Sequence, residues 1–231
     1  MSKIAIMGAM PEEIAPIVAK LTNLKESVYA SNTYYEGVYN GQEVVVAYSK
    51  IGKVFATLTA TILIEKFGCD TLLFSGVAGA ISDDLQIGDL IIADGLCQHD
   101  LDITSFGHPF GFVPEGEVCI PTDITLRNIA KEVAKEKGLT LKEGIIATGD
   151  QFVANEARKT WIGDTFKADA LEMEGASVAV VCSSLDIPFF ILRAISDSAD
   201  MDASFNFEAF LESSAQISAD FILSMVDAIE R

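Results

Sequence analysis

Short apolar runs that close on glycine or a polar cluster recur along the chain. Ile4-Ala-Ile-Met7 leads into Gly8, Val44-Val-Val-Ala-Tyr48 into Ser49, and Thr71-Leu-Leu-Phe74 into Ser75-Gly76. Gly144-Ile-Ile-Ala147 leads into Thr148-Gly149-Asp150, and Phe189-Phe-Ile-Leu192 into Arg193. Unbroken apolar runs of this length read as strands covered on both faces. Helical patterns lie between them over residues 53–67, 124–137, 176–185 and about 206–229. In the last of these, Phe207, Phe210, Leu211, Phe221, Ile222, Met225 and Ile229 share one face by three-and-four spacing. Residues 33–39 and 43–48, joined through Asn40-Gly41, carry the clear antiparallel hairpin pattern. The expectation is an α/β fold in which helices cover a mixed sheet.

Composition changes this picture little. With 231 residues, half of them hydrophobic, the chain can bury a large core. No linker or shift in composition divides it, so residues 1–231 are expected to form one domain. The longest loop-like stretch, 98–121, is too aromatic and apolar to be disordered. Charge removes some classes of partner: a formal net charge of −18 repels polyanions, which argues against nucleic acid and anionic membrane surfaces. The N-terminus shows neither the basic region and cleavage site of a signal peptide nor a span-length apolar run, so the expected location is the cytoplasm. Cys69, Cys97, Cys119 and Cys182 lack metal-ligand spacing and read as small buried hydrophobes; His99 and His108 are the only histidines, and no metal is expected.

Chemistry concentrates where strands end, which is where open α/β sheets bind ligands. Glu172-Met173-Glu174 places two carboxylates next to apolar sequence, an arrangement that costs several kcal/mol unless something holds them. Gly8-Ala-Met10-Pro-Glu12-Glu13 lacks the second and third glycines of a dinucleotide fingerprint, and its acids oppose an anion at a helix start. Those acids equally suit pairing with the helix dipole. Ser75-Gly-Val77-Ala-Gly79 suits close ligand approach or a tight turn, and Lys53 reads as a helix start. Phe152 can stack a flat heterocycle or fill core. Asp197, at the end of a buried strand, is expected to have a raised pKa and to donate a proton near neutrality; pairing with Arg193 or capping a helix would explain it equally well.

Taken together, Gly8 to Glu13, Ser49-Lys-Ile-Gly-Lys53, Gly76 to Gly79, Thr148-Gly-Asp-Gln-Phe152, Glu172 to Glu174 and Arg193-Ala-Ile-Ser-Asp197 resemble the 5′-methylthioadenosine/S-adenosylhomocysteine nucleosidases. These belong to the purine nucleoside phosphorylase and uridine phosphorylase superfamily. The resemblance implies a three-layer α/β/α domain, a homodimer, and cofactor-free hydrolysis of the N-glycosidic bond of 5′-modified adenine nucleosides. It implies that Asp197 serves purine N7, Glu13 activates the attacking water, and Glu174 holds the ribose hydroxyls with Met173 against the sugar. Phe152 resembles the ring that stacks on the purine, and Val153 the neighbour whose backbone reads its edge. Met10, Ile51, Ile103, Phe106 and Phe207 resemble the lining of the 5′-substituent pocket. Val77, Gly79, Arg193 and Ser196 complete the expected binding set, with Glu172 as support and Arg193 orienting Glu174 or Asp197. His108 and Pro114 resemble residues lent to the neighbouring subunit. Val77 stands where many relatives carry serine, and His108 where many carry tyrosine. The stretches 47–53 and 100–109 look most like the subgroup that also cleaves 6-amino-6-deoxyfutalosine.

Overall fold

The computed structural model describes residues 2–199 and 203–229, without the side chains of 203–206. The first apolar run becomes β1 (Lys3–Gly8), buried from Ile4 onward. Strand periodicity sends Ile4 and Ile6 to one face and Ala5 and Met7 to the other. Pro11 then opens α1 (Pro11–Val18), at a first-turn position where a missing N–H leaves no bond unmade.

β1 runs parallel to β4 (Gln42–Tyr48) on one side and to β5 (Thr71–Ala80) on the other. Beyond β4 the sheet continues antiparallel through β3 (Asn32–Tyr39) to β2 (Thr22–Tyr29). β5 also pairs in parallel with β10 (Phe189–Asp197), which pairs antiparallel with β6 (Leu90–Gln98). β6 is parallel to β8 (Leu141–Thr148) and β8 to β9 (Ala168–Glu172). β9 returns antiparallel to Gly79 and Ala80 at the end of β5, so five strands close a ring at one side of the sheet. A short β7 (Cys119–Pro121) adds to β6.

Helices cover both faces. α2 (Lys53–Glu65) and α5 (Gly175–Ser184) pack with Ala5, Met7, Leu72, Phe74 and Ile191. α1, α3 (Ile124–Lys137) and α6 (Ala203–Ile229) cover Ile4, Ile6, Leu73, Phe190 and Leu192. α4 (Glu156–Phe166) covers the outer side of β8 and β9 through Ile162 and Phe166. Each fully buried Ile, Leu, Met or Phe side chain among these contributes about 1.5–3 kcal/mol. The result is the expected three-layer α/β/α arrangement. Among the described residues, no helix is long and apolar enough to cross a membrane.

The five expected strands and four expected helices are present, and the hairpin turns at Asn40 and Gly41, both at positive φ (48° and 99°). The stretch 98–121 contains more order than a loop: Gln98 ends β6, 104–106 form a 3-10 turn, and β7 closes it. β6 lacks an unbroken apolar pattern because Asp94-Gly95 interrupts it at a bulge. β2 is an exposed strand and gives no core alternation.

Candidate active site

Glu13 is built by the turn from β1 into α1. Its Oε2 accepts from the N–H groups of Ala9 (2.5 Å) and Met10 (3.1 Å), the reach-back of a third-position glutamate in a capping box. Its Oε1 accepts from Val77 N–H of β5 at 3.1 Å. Glu12 stays exposed in the first turn, as dipole pairing requires, whereas Glu13 is buried. Burial pushes the Glu13 carboxyl above its usual range, against the opposing charge of Arg193 and the three N–H bonds.

Glu172 and Glu174 leave the end of β9 in different surroundings. Glu172 accepts from the Thr148 hydroxyl across the β8–β9 pair, from the N–H groups of Glu174 and Gly175, and from Arg193 at 2.7 Å. Glu174 accepts from Gly52 N–H at 2.8 Å and faces a cavity. Burial, then the Glu172 charge, push the Glu174 carboxyl up to about 8; Gly52 N–H and Arg193 act downward and Glu13 upward. Arg193 itself is fully buried, stacked 4.1 Å over the Phe74 ring and donating to the Phe74 and Leu192 carbonyls. It therefore does not line the cavity, and its ion-pair partner is Glu172 in place of the expected Glu174 or Asp197.

Asp197 owes its direction to a β-bulge. Ile195 pairs with Ala78 and Asp197 with Gly79, so Ser196 is the extra residue. Asp197 Oδ2 accepts from the Ser196 hydroxyl and Oδ1 from Ala199 N–H, each at 2.9 Å. A Cβ on Gly79 would lie 2.7 Å from Oδ1, so any other residue there would force this carboxyl to shift. Glu13 is tied to Val77 and Asp197 stands beside Gly79, two positions on; those anchors are about 7 Å apart along the strand.

The cavity gathers Met10, Glu13, Ile51, Val77, Gly79, Phe152, Val153, Glu172, Met173, Glu174, Ser196, Asp197 and Phe207. Phe152 is 49% exposed and meets Phe207 edge-on with 5.8 Å between centroids, so it is no core residue. Ala9, Ala78, Gln151 and Leu171 also line the cavity; they adjoin expected residues but carry no chemistry that sequence could single out. Ile103, Phe106, His108 and Pro114 do not line it. Phe106 is 83% exposed, and His108 stacks on Phe112 with centroids 4.4 Å apart.

This cavity at strand carboxyl ends, with four carboxyl groups and flat apolar walls, has counterparts among known proteins. The pattern that defines the phosphorylase superfamily matches residues 3–227. The chain belongs to the phosphorylase superfamily. Within the superfamily it is 56% identical over 229 residues to the aminodeoxyfutalosine nucleosidase of Campylobacter jejuni, covering 99% of this chain and all of that one. It is 38% identical over 231 residues to the 5′-methylthioadenosine/S-adenosylhomocysteine nucleosidase of a Geobacillus species, again covering 99% of this chain and all of the relative. The crystal structure of the Helicobacter pylori 5′-methylthioadenosine/S-adenosylhomocysteine nucleosidase with butyl-thio-DADMe-Immucillin-A superposes with a TM-score of 0.96 at 50% identity, covering 98% of each chain. In this phosphorylase-superfamily chain the cavity carboxyl groups stand among mostly apolar walls, with Arg193 buried behind Glu172.

Proposed function

We propose that this protein hydrolyses the N-glycosidic bond of adenine nucleosides modified at the 5′ position: 5′-methylthioadenosine, S-adenosylhomocysteine, 5′-deoxyadenosine and 6-amino-6-deoxyfutalosine. The observation that carries this reading is the placement of Glu13 and Asp197 on one cavity, anchored two residues apart on β5. The nucleosidase relatives support it, and the likeness to the Campylobacter jejuni protein supports the futalosine derivative among the substrates.

In this reading Asp197 gives a proton to purine N7 as the glycosidic bond breaks and its electron pair leaves with adenine. Glu13 removes a proton from water as its oxygen bonds to C1′ from the opposite face. The division of labour is that of an inverting glycosidase. In its ionised form Glu174 accepts from the ribose hydroxyls, and its charge favours the positive charge that develops on the sugar. Met173 packs against the sugar, Phe152 stacks on the purine with Val153 at its edge, and Met10, Ile51 and Phe207 take the 5′ substituent. Val77 offers no hydroxyl to the ribose, but its N–H fixes the base Glu13. Inorganic phosphate would meet Glu13 and Glu174, and among the described residues no arginine lines the cavity wall, which favours water as the nucleophile.

The protein acts as a homodimer in this reading, with Ile103, Phe106, His108 and Pro114 serving the neighbour's 5′ pocket. Val54, Phe55 and Leu58 on α2, together with Ile51 and Phe106, leave apolar surface exposed for such an interface. Four unpaired cysteines suit a reducing cytoplasm. The test follows each nucleoside with and without phosphate. Adenine release independent of phosphate is expected. A sugar 1-phosphate product would make the protein a phosphorylase, and binding without turnover would make it a sensor.

A further inference from the structure

We infer that Asp100 is a positioning residue whose two carboxylate oxygens tie the start of α2 to the turn after β8, and so set where Glu174 and Phe152 stand. The inference rests on the nucleosidase reading for its effect on rate, and on geometry alone for its effect on the two segments.

Glu174 is held by Gly52 N–H at 2.8 Å, so its aim depends on the turn that precedes α2. That turn is conformationally demanding: Lys50 has φ 75° and Gly52, the helix N-cap residue, has φ 101°. Gly52 brings no capping side chain of its own. The cap arrives from a distant segment, since Lys53 N–H donates to Asp150 Oδ1 at 2.8 Å. Asp150 is exposed and needs holding in turn. Its N–H donates to Asp100 Oδ2 at 2.8 Å, while Asp100 Oδ1 accepts from Lys53 Nζ at 2.7 Å. Three residues from three segments thus form a closed cycle whose bonds all end on carboxylate oxygens, and its one ion pair, Lys53 with Asp100, is sheltered, with side chains only 19% and 17% exposed.

Both arms of the cycle end at the cavity. On the α2 side, Ile51 lines it and Gly52 grips Glu174. On the other side, Gln151, Phe152 and Val153 follow Asp150 directly and line it too. Asp100 touches neither cavity nor sheet core, so its removal loosens the relation between the sugar clamp and the purine wall while the layers remain packed.

The experiment compares Asp100→Ala and Asp100→Asn. Asn keeps an acceptor for Asp150 N–H and loses the charge facing Lys53. With 5′-methylthioadenosine, Asp100→Ala is expected to lower kcat/KM about 10- to 100-fold, as a displacement of roughly 1 Å can do. Asp100→Asn should recover part of that loss. In a Glu174→Ala background, which removes the acceptor for Gly52 N–H, the effect of Asp100→Ala should shrink clearly below its single-variant value, because part of it runs through that contact. Amide hydrogen exchange on the ligand-free proteins supplies a readout that needs no turnover. Exchange across 50–54 and 150–153 should quicken in Asp100→Ala. Near-wild-type kcat/KM, full multiplication of the two effects in the double variant, or unchanged exchange in both segments would each overturn the inference. A wild-type protein that binds nucleosides without cleaving them would sink the nucleosidase reading, and the exchange result would still decide the role of Asp100.

Discussion

One inserted residue, Ser196, decides what Asp197 can do. Without the bulge the carboxyl would keep strict register along β10; with it, Asp197 stands opposite Gly79 and faces the cavity. Asp197→Asn should therefore cut kcat for 5′-methylthioadenosine by about 10²–10⁴-fold, the usual worth of a general acid, with a nearly unchanged thermal midpoint. Gly79→Ala drives a methyl to within 2.7 Å of Oδ1, and kcat should fall with it even though no charge is altered. Glu174 yields a test in pH. Its carboxyl is raised to about 8, by burial first and then by Glu172, so the folded, ligand-free protein keeps a proton that the unfolded chain loses near the ordinary glutamate value. The stability from this group is complete below that ordinary value and is lost as pH rises through about 8. In the proposed reaction Glu174 and the base Glu13, also raised by burial, both act ionised, so kcat/KM should climb as pH rises, and Glu174→Gln should flatten the stability slope in urea titrations while the rise due to Glu13 remains in the rate profile. The residue types at the site were legible because acids at strand ends are out of place in a core. The partner of Arg193 was not, since Glu172 and Glu174 are two positions apart and only the fold shows which one the guanidinium meets.

At the level of elements, strands buried on both faces announced themselves as apolar runs, and α6 by its stripe. β6 hid behind Asp94-Gly95, β2 behind its exposure, and α4 behind a sequence with few apolar positions. What sequence pattern could not supply was the pairing between distant segments, such as the cap that Asp150 gives α2. α3, in contrast, is capped within its own sequence: Asp123 accepts from Leu126 N–H at 2.8 Å. Asp123→Ala should cost about 1 kcal/mol, or roughly 2–4 °C of thermal midpoint for a chain of this size. Nucleoside cleavage should stay unchanged, because neither Asp123 nor any part of α3 lines the cavity.

The whole molecule combines a strongly acidic composition with exposed apolar side chains at the start of α2, Val54, Phe55 and Leu58. If these side chains join two copies, light scattering should give the mass of two chains. Val54→Asp should split them and raise KM for 5′-methylthioadenosine, since each 5′ pocket would lose its neighbour's residues. The closed ring of β5, β10, β6, β8 and β9 bears on how such a pair can form. Because that side of the sheet returns on itself, the long free margin among the described residues is β2. There a bulge between Thr22 and Lys25 and an outward lysine hinder the addition of another strand. Growth by shared backbone bonding, whether into an orderly assembly or an aggregate, is thus discouraged by the topology itself, and association is left to side chains on helices and loops.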